Sequence, residues 1–147
     1  MPVDHVNGVE LYWEQRGSGP RLLFCNGSGL TLQAVRPLLD PLAGSFDVLA
    51  WDYRGFGRSA PVTHPYTMAD VAADAAGLLE VTGWESCRVV GASFGGMVVT
   101  PTIATRTSRR ECASSRERRG CRARRARWHG ALTGFAVTDP AWWPGRR

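Results

Sequence analysis

Short apolar segments separated by turns recur along the first hundred residues, and each has the pattern of a β-strand. One alternates apolar and polar residues with the strand period, and the others are apolar almost throughout, as in strands buried on both faces of a sheet. The dipeptide Asn7-Gly8 precedes the first of them and is typical of a tight hairpin turn. The candidate strands are Val9–Glu14, Leu22–Cys25, Phe46–Trp51 and Cys87–Val90.

Two segments between these strands have apolar residues at helical spacing. The first is Leu32–Leu42, although Pro37 and Pro41 are expected to shorten or bend that helix. The second follows Thr67, which together with Asp70 resembles a capping box. One face of this second helix carries Val71, Ala75, Leu78 and Leu79. Strands that alternate with helices predict an α/β fold, with a leading hairpin followed by parallel strands and helices on both faces of the sheet.

The run from Val89 to Val99 predicts a strand, a sharp turn with one serine, and the start of a helix. Ser93 lies within Gly-x-Ser-x-Gly, the nucleophile-elbow pattern. In so tight a turn, side chains at Gly91 or Gly95 would collide with neighbouring backbone. The new helix directs its first amides toward the serine, where negative charge develops when a carbonyl is attacked. The pattern therefore predicts that this serine is a nucleophile.

Three segments in this order resemble the N-terminal part of an α/β-hydrolase, over residues 1 to about 99. They are Cys25–Gly29, Asp52–Ser59 with its Asp-x-Arg-Gly-x-Gly-x-Ser pattern, and the elbow at Ser93. The chain is similar to the esterase and lactonase branch that includes 3-oxoadipate enol-lactonases. This resemblance implies cleavage of a small ester or lactone through an acyl-enzyme, with no cofactor and no metal ion. Haloperoxidase-like enzymes and C–C bond hydrolases of the same fold are the alternative.

The resemblance also assigns roles to individual residues. Ser93 is expected to be the nucleophile. The backbone amides of Phe94 and Ser28 are expected to form the oxyanion hole, with Gly27 and Asn26 in the loop that presents the second amide. The expected active site is therefore built from one turn and one loop.

Other conspicuous residues are interpreted as structural. Asp52 and Arg54 are expected to lock their loop to the sheet edge, and Cys25 and Cys87 to pack as small apolar residues on buried strands. The four cysteines form no disulfide-like pattern, and the sequence shows no signal peptide or membrane span. A cytoplasmic location is the resulting expectation.

Composition changes abruptly after about Val99. Residues 1–100 hold six arginines and ten acidic residues, a net charge of −4, whereas residues 101–147 hold twelve arginines and three acidic residues, a net charge of +9. Few aliphatic residues occur there before Ala131–Val137, which is the strand candidate of this segment. We therefore predict a partial hydrolase domain over 1–99, with an incomplete sheet, and a disordered basic segment over 100–147.

The acid and base of a catalytic triad are not evident in the sequence. In this fold an acid and then a histidine follow the serine, but here His129 precedes Asp139. His5 and His64 both precede Ser93 and lie in a leading strand and a loop. Because a serine without its base is a poor nucleophile, negligible turnover is expected of this chain.

Two hypotheses explain the basic segment. In the first, the reading frame slips near residues 100 to 106 or the gene is truncated, which fits the abrupt rise in arginine and the absence of lysine. In the second, the segment is an arm that binds nucleic acid or another polyanion, with arginines on phosphates and Trp128 stacked on a base. The second hypothesis predicts a binding protein rather than an enzyme.

Overall fold

The computed structural model describes residues 2–99 and the backbone of residues 131–132 and 135–138. The strands are β1 (Val3–Val6), β2 (Val9–Arg16), β3 (Arg21–Cys25), β4 (Asp47–Trp51), β5 (Arg88–Ala92), β6 (Ala131–Leu132) and β7 (Phe135–Thr138). The helices are α1 (Leu32–Ala43) and α2 (Met68–Val81). A further helix begins at Phe94 and is described as far as residue 99. In the described part of the chain, no helix is long and apolar enough to cross a membrane.

The strands form one mixed sheet in the order β1-β2-β4-β3-β5-β7-β6. β2 is antiparallel to both β1 and β4, whereas β3 is parallel to both β4 and β5. The predicted fold class, a leading hairpin followed by parallel strands, is confirmed. Because parallel strands end at the same edge of a sheet, the segments that follow β3, β4 and β5 meet at that edge.

The hairpin turn has the predicted chemistry. Asn7 and Gly8 have φ values of 48° and 80°. Positive values at both central residues match the twist of the two strands that they connect. The turn sets Val6 opposite Val9, and both side chains are buried in the core.

Helix α1 is longer than its prolines suggest. The sequence predicts that Pro37 and Pro41 shorten or bend this helix; both lie inside it, so the helix is not shortened. Each proline removes one backbone hydrogen-bond donor. The apolar face formed by Leu32, Val35 and Leu39 is buried against the sheet, and this packing offsets the lost hydrogen bonds.

Helix α2 begins with the predicted capping box. The Thr67 side chain accepts a hydrogen bond from the Asp70 amide, and the Asp70 carboxylate accepts one from the Thr67 amide at 2.7 Å. Its predicted apolar face is fully buried. That face consists of Val71, Ala75, Leu78 and Leu79.

Two apolar clusters cover the two faces of the sheet. The first packs strand residues such as Phe24 and Val48 against α1. The second packs Leu23, Leu49 and Trp51 against α2 and the helix that begins at Phe94. Helices therefore cover both faces, as the sequence predicts.

The edge of β5 is occupied by the backbone of β7. β7 runs antiparallel to β5, with Ala92 opposite Phe135, and it falls in the segment predicted to hold the strand of the basic region. Other predictions for that region lie outside the described residues. These are its disorder, the order of His129 and Asp139, and the polyanion-binding arm.

Candidate active site

β5 ends in a turn whose backbone is unusual for a residue with a side chain. Ser93 has a φ of 52°, in the left-handed region that favours glycine. Its carbonyl accepts a hydrogen bond from the Gly96 amide at 2.9 Å, and the helix begins at Phe94. The Ser93 residue is exposed. The structure therefore contains the strand, sharp turn and helix that the sequence predicts around Ser93.

The two glycines that flank Ser93 leave no room for side chains. A Cβ on Gly91 would overlap the Gly95 carbonyl and lie 2.6 Å from the Gly96 amide nitrogen. A Cβ on Gly95 would overlap the Cys25 carbonyl and lie 2.6 Å from the Asn26 carbonyl oxygen. The obstructing atoms belong to backbone, so they cannot rotate away. The turn is therefore pressed against the end of β3.

Asn26 directly follows β3 and is fully buried. Its Nδ2 donates a hydrogen bond to the Trp51 carbonyl at 3.1 Å, and its own carbonyl accepts one from the Tyr53 hydroxyl at 2.7 Å. The Asn26 Oδ1 atom is buried and accepts no hydrogen bond from the described residues. The position of Asn26 therefore depends on Trp51 and Tyr53, which belong to β4 and the loop after it.

The loop after Asn26 lies against the elbow. Gly27 is buried, and a Cβ added to it would lie 3.7 Å from the carbonyl oxygen of Ala92, the residue before Ser93. Its carbonyl accepts a hydrogen bond from the Leu30 amide at 3.3 Å, which closes the loop. Ser28 is exposed at the tip. The structure thus brings the predicted loop and the predicted turn together.

Asp52 ties the loop after β4 to the rest of the fold, as the sequence predicts. Its buried carboxylate accepts hydrogen bonds from the Leu32 amide at 2.6 Å and the Arg58 amide at 2.9 Å. The Ser59 hydroxyl donates to the Asp52 carbonyl at 2.6 Å and accepts from the Tyr12 amide at 3.0 Å. These contacts fix the second wall of the candidate site.

Arg54 is also held in a structural ion pair. Its Nε and Nη2 atoms lie 2.7 and 2.5 Å from the carboxylate oxygens of Asp74, a fully buried residue of α2. Burial raises the pKa of Asp74, while hydrogen bonds from Arg54 and from Asn7 oppose that rise. The pair joins the loop after β4 to α2 and to the hairpin turn.

A cleft of about 370 Å³ lies beside the elbow. Its lining residues are Ser28, Gly29, Tyr53, Phe56, Tyr66, Thr67, Met68, Val71 and Phe94. Ser28 and Phe94, whose amides the sequence predicts to form the oxyanion hole, both line it. The Phe94 ring packs edge-on against Tyr53, with 5.6 Å between the ring centroids. Ser93 directly precedes Phe94 and is not itself among the lining residues.

Neither histidine among the described residues lines the cleft. His5 is exposed on β1, four positions from β5 in the sheet, which corresponds to roughly 19 Å. His64 is exposed in the loop before α2 and does not line the cleft. The described residues therefore supply the serine and the two amides, and the cleft is lined by no histidine.

The cysteines and acidic residues of the described ranges have packing roles. Cys25 is fully buried, and burial raises the pKa of its thiol far above the ordinary value, so it stays protonated. Cys87 lies just before β5 rather than on it, which corrects the predicted strand start. Within residues 2–99, no three His, Cys, Asp or Glu side chains are grouped as metal ligands would be.

Comparison with known proteins identifies the family. The alpha/beta hydrolase fold family matches residues 20–109, so the chain belongs to that family. RutD of Azorhizobium caulinodans is 33% identical over 98 residues, which are 67% of this chain and 37% of RutD. A non-heme haloperoxidase of Rhodococcus erythropolis is 36% identical over 106 residues, which are 71% of this chain and 39% of that protein.

Among solved structures, the enol-lactonase of Burkholderia xenovorans superposes with a TM-score of 0.65 at 30% sequence identity. The match covers 70% of this chain and 41% of the enol-lactonase. The resemblance to α/β-hydrolases predicted from the sequence is therefore confirmed. The chain spans about two fifths of the length of these three proteins.

Sequence reasoning did not place several residues that build the cleft at the candidate site. Tyr53, Phe56 and Tyr66 follow β4, and Met68 and Val71 open α2. A signal was present, because three aromatic residues in a loop that follows a parallel strand next to β3 must lie at the same sheet edge as the elbow. Tyr53 is the most informative of them, since it contacts both the loop and Phe94.

Replacing Tyr53 by phenylalanine tests whether it positions the loop. The change removes the hydrogen bond to the Asn26 carbonyl and should cost about 1–2 kcal/mol of unfolding free energy. It should also slow the covalent labelling of Ser93 by a fluorophosphonate, a reagent that reacts with nucleophilic serines, several-fold. The reason is that the loop that carries Ser28 loses a hydrogen bond that holds it in place. Tyr12→Phe is the control on the other face of the sheet, where the Tyr12 hydroxyl donates to Glu14 at 2.6 Å and accepts from Arg58 at 3.0 Å. A rate unchanged by Tyr53→Phe would contradict the positioning role.

Proposed function

We propose that this chain carries the nucleophile and oxyanion hole of a serine hydrolase that cleaves small esters or lactones through an acyl-enzyme at Ser93. The observation that carries the proposal is the φ of 52° at Ser93, between glycines at 91 and 95 where a Cβ has no room. A strained conformation of this kind persists only when the surrounding structure enforces it, and such residues cluster at active sites.

The proposed reaction uses groups from the turn and from the loop after β3. The Ser93 hydroxyl oxygen attacks the carbonyl carbon of the ester, and its proton passes to a base. The backbone amides of Ser28 and Phe94 bind the carbonyl oxygen as it becomes negatively charged. The alcohol leaves, the acyl group stays on Ser93, and water later releases the acid.

No base for Ser93 is identified among the described residues, and this makes a specific prediction for the 147-residue chain. His5 lies on β1, four positions from β5 in the sheet, and His64 does not line the cleft, so we expect slow acylation and negligible turnover, while the oxyanion amides still favour reaction at this serine. An external base such as imidazole should therefore accelerate the reaction of Ser93. Serines outside the elbow should gain no comparable acceleration.

Labelling with a fluorophosphonate at increasing imidazole concentrations, followed by peptide mass spectrometry, tests this proposal. Ser93 should react at least about 100-fold faster than Ser86, because each oxyanion donor contributes roughly 10²–10³ in rate. Ser86 is an exposed serine shortly before β5 and serves as the internal reference. Ser93→Ala should abolish the fast adduct, and Ser86→Ala should leave it intact. Equal rates at both serines, with and without imidazole, would refute the proposal.

A haloperoxidase-like enzyme is the second candidate, supported by the 36% identity to the Rhodococcus erythropolis haloperoxidase. Both candidates use the elbow, so labelling of Ser93 does not separate them. A comparison of ester cleavage with peroxide-dependent bromination of a phenol, both measured with imidazole present, distinguishes the two.

A further inference from the structure

The inner wall of the cleft is apolar and aromatic. Phe56, Met68 and Phe94 are partly buried and pack against the main core cluster, and Val71 belongs to that cluster with no exposed surface. None of the described residues that line the cleft carries a charge. An apolar group that enters the cleft would therefore pack against side chains that are themselves packed on the core.

Two polar residues of this wall, Tyr53 and Thr67, are already engaged in hydrogen bonds. The Tyr53 hydroxyl donates its hydrogen bond to the Asn26 carbonyl at 2.7 Å. The Thr67 hydroxyl donates to the Asp70 carboxylate at 2.7 Å, and the Thr67 amide donates to the same oxygen at 2.7 Å. The Tyr53 hydroxyl and the Thr67 hydroxyl and amide are therefore not free to bind an anionic ligand.

The charges closest to the wall do not favour an anion either. The Arg54 guanidinium lies 5.9 Å from the ring centroid of Tyr66, but its Nε and Nη2 atoms are bound to Asp74. The Asp70 carboxylate lies beside Thr67, and the hydrogen bond from the Thr67 backbone amide lowers the pKa of Asp70, so it remains ionised at neutral pH. Among Arg54, Asp70 and Asp74, the charge near this wall that is left unneutralised is therefore the negative charge of Asp70.

We propose that the cleft selects a substrate whose acyl group is uncharged and apolar, and rejects an acyl chain that ends in a carboxylate. This inference rests on the proposed function, because it takes the cleft as the place where the acyl group lies during attack by Ser93. A carboxylate placed among Phe56, Met68 and Val71 would lose its water without gaining a partner. Esters of aliphatic or aromatic monocarboxylic acids fit the wall, and half-esters of dicarboxylic acids do not.

Methyl hexanoate and monomethyl adipate form a matched pair of probes, since they differ in a terminal methyl or carboxylate on the same chain. Their binding to the 147-residue Ser93→Ala protein is followed by the NMR signals of the Met68 and Val71 methyl groups. Methyl hexanoate should bind at least about tenfold more tightly than monomethyl adipate. Met68→Arg should reduce or reverse that ratio, because it adds a cation to the wall. Met97→Arg, at an exposed position outside the cleft, should leave the ratio unchanged.

The outcomes separate this inference from the proposed function. Equal or tighter binding of monomethyl adipate to the Ser93→Ala protein would overturn the inference, as would the absence of any shift at Met68 or Val71 with methyl hexanoate. The ratio of the two dissociation constants, measured in the Ser93→Ala protein, tests the inference even if the Met68→Arg variant fails to fold. Because binding is measured without the serine hydroxyl, a failure of Ser93 to react with fluorophosphonate would contradict the proposed function alone.

Discussion

Gly95→Ala should destabilise the chain by roughly 3 kcal/mol or more and abolish fast labelling of Ser93. A methyl group at this position would overlap the Cys25 carbonyl and lie 2.6 Å from the Asn26 carbonyl oxygen. These atoms end β3 and begin the loop that carries Ser28, so relief of the clash must separate the elbow from that loop. Urea unfolding, followed by tryptophan fluorescence, measures the loss of stability, and the fluorophosphonate rate measures the loss of site geometry.

Gly44→Ala is the matched control for this effect. Gly44 caps α1 with a φ of −69°, which any residue adopts, and a Cβ there would lie 3.3 Å from its nearest neighbour, the Pro41 carbonyl oxygen. The free energy of unfolding of the Gly44→Ala variant should differ from that of the parent chain by less than about 1 kcal/mol. If Gly95→Ala and Gly44→Ala had the same stability and labelling rate, the contact between elbow and loop would not exist as described.

Arg54→Met should cost about 3–5 kcal/mol, because it leaves the buried carboxylate of Asp74 without its guanidinium partner. The loss should depend on pH in a definite direction. Without Arg54, the pKa of Asp74 in the folded state rises further above its value of 3.8 in an unstructured chain. The penalty should therefore be small near pH 4 and grow as the pH rises toward 7, since the folded state then holds a proton that the unfolded state releases.

Two further variants make this second prediction specific. Arg54→Met combined with Asp74→Leu should recover most of the lost stability, because an apolar pair replaces the unpaired charge. Arg16→Met should cost less than about 1 kcal/mol, since the Asp40 partner is 60% exposed and the more buried Glu14 keeps its hydrogen bonds from Tyr12 and Arg36. A pH-independent loss in Arg54→Met would show that packing of the arginine stem, rather than its charge, stabilises the loop.

The fold was predictable where local pattern and tertiary packing agree. Asn7-Gly8 requires a tight turn, and the capping box at Thr67 fixes the start of α2. The predicted shortening at Pro37 and Pro41 is not observed, because the stability of α1 comes from an apolar face that packs on the sheet and not from backbone propensity. That contribution depends on the neighbours of the helix in space.

The candidate site was predictable only in part, for a similar reason. Ser93, Phe94 and the loop at Asn26 carry short motifs whose residue types are set by backbone strain and close approach. The tether from Tyr53 to the Asn26 carbonyl joins residues 27 positions apart, and no local pattern encodes it. The apolar wall of the cleft likewise depends on how the loop after β4 folds over α2.

The most direct test of the account is the crystal structure of the 147-residue chain after phosphonylation. We expect a covalent bond from Ser93 Oγ to phosphorus, a φ near 52° at Ser93, and the phosphonyl oxygen within hydrogen-bonding distance of the Ser28 and Phe94 amides. The organic group of the phosphonate should lie along Phe56 and Met68. A Ser93 with negative φ, or a phosphonyl oxygen directed into solvent away from both amides, would contradict the proposal that this turn and this loop form one catalytic site.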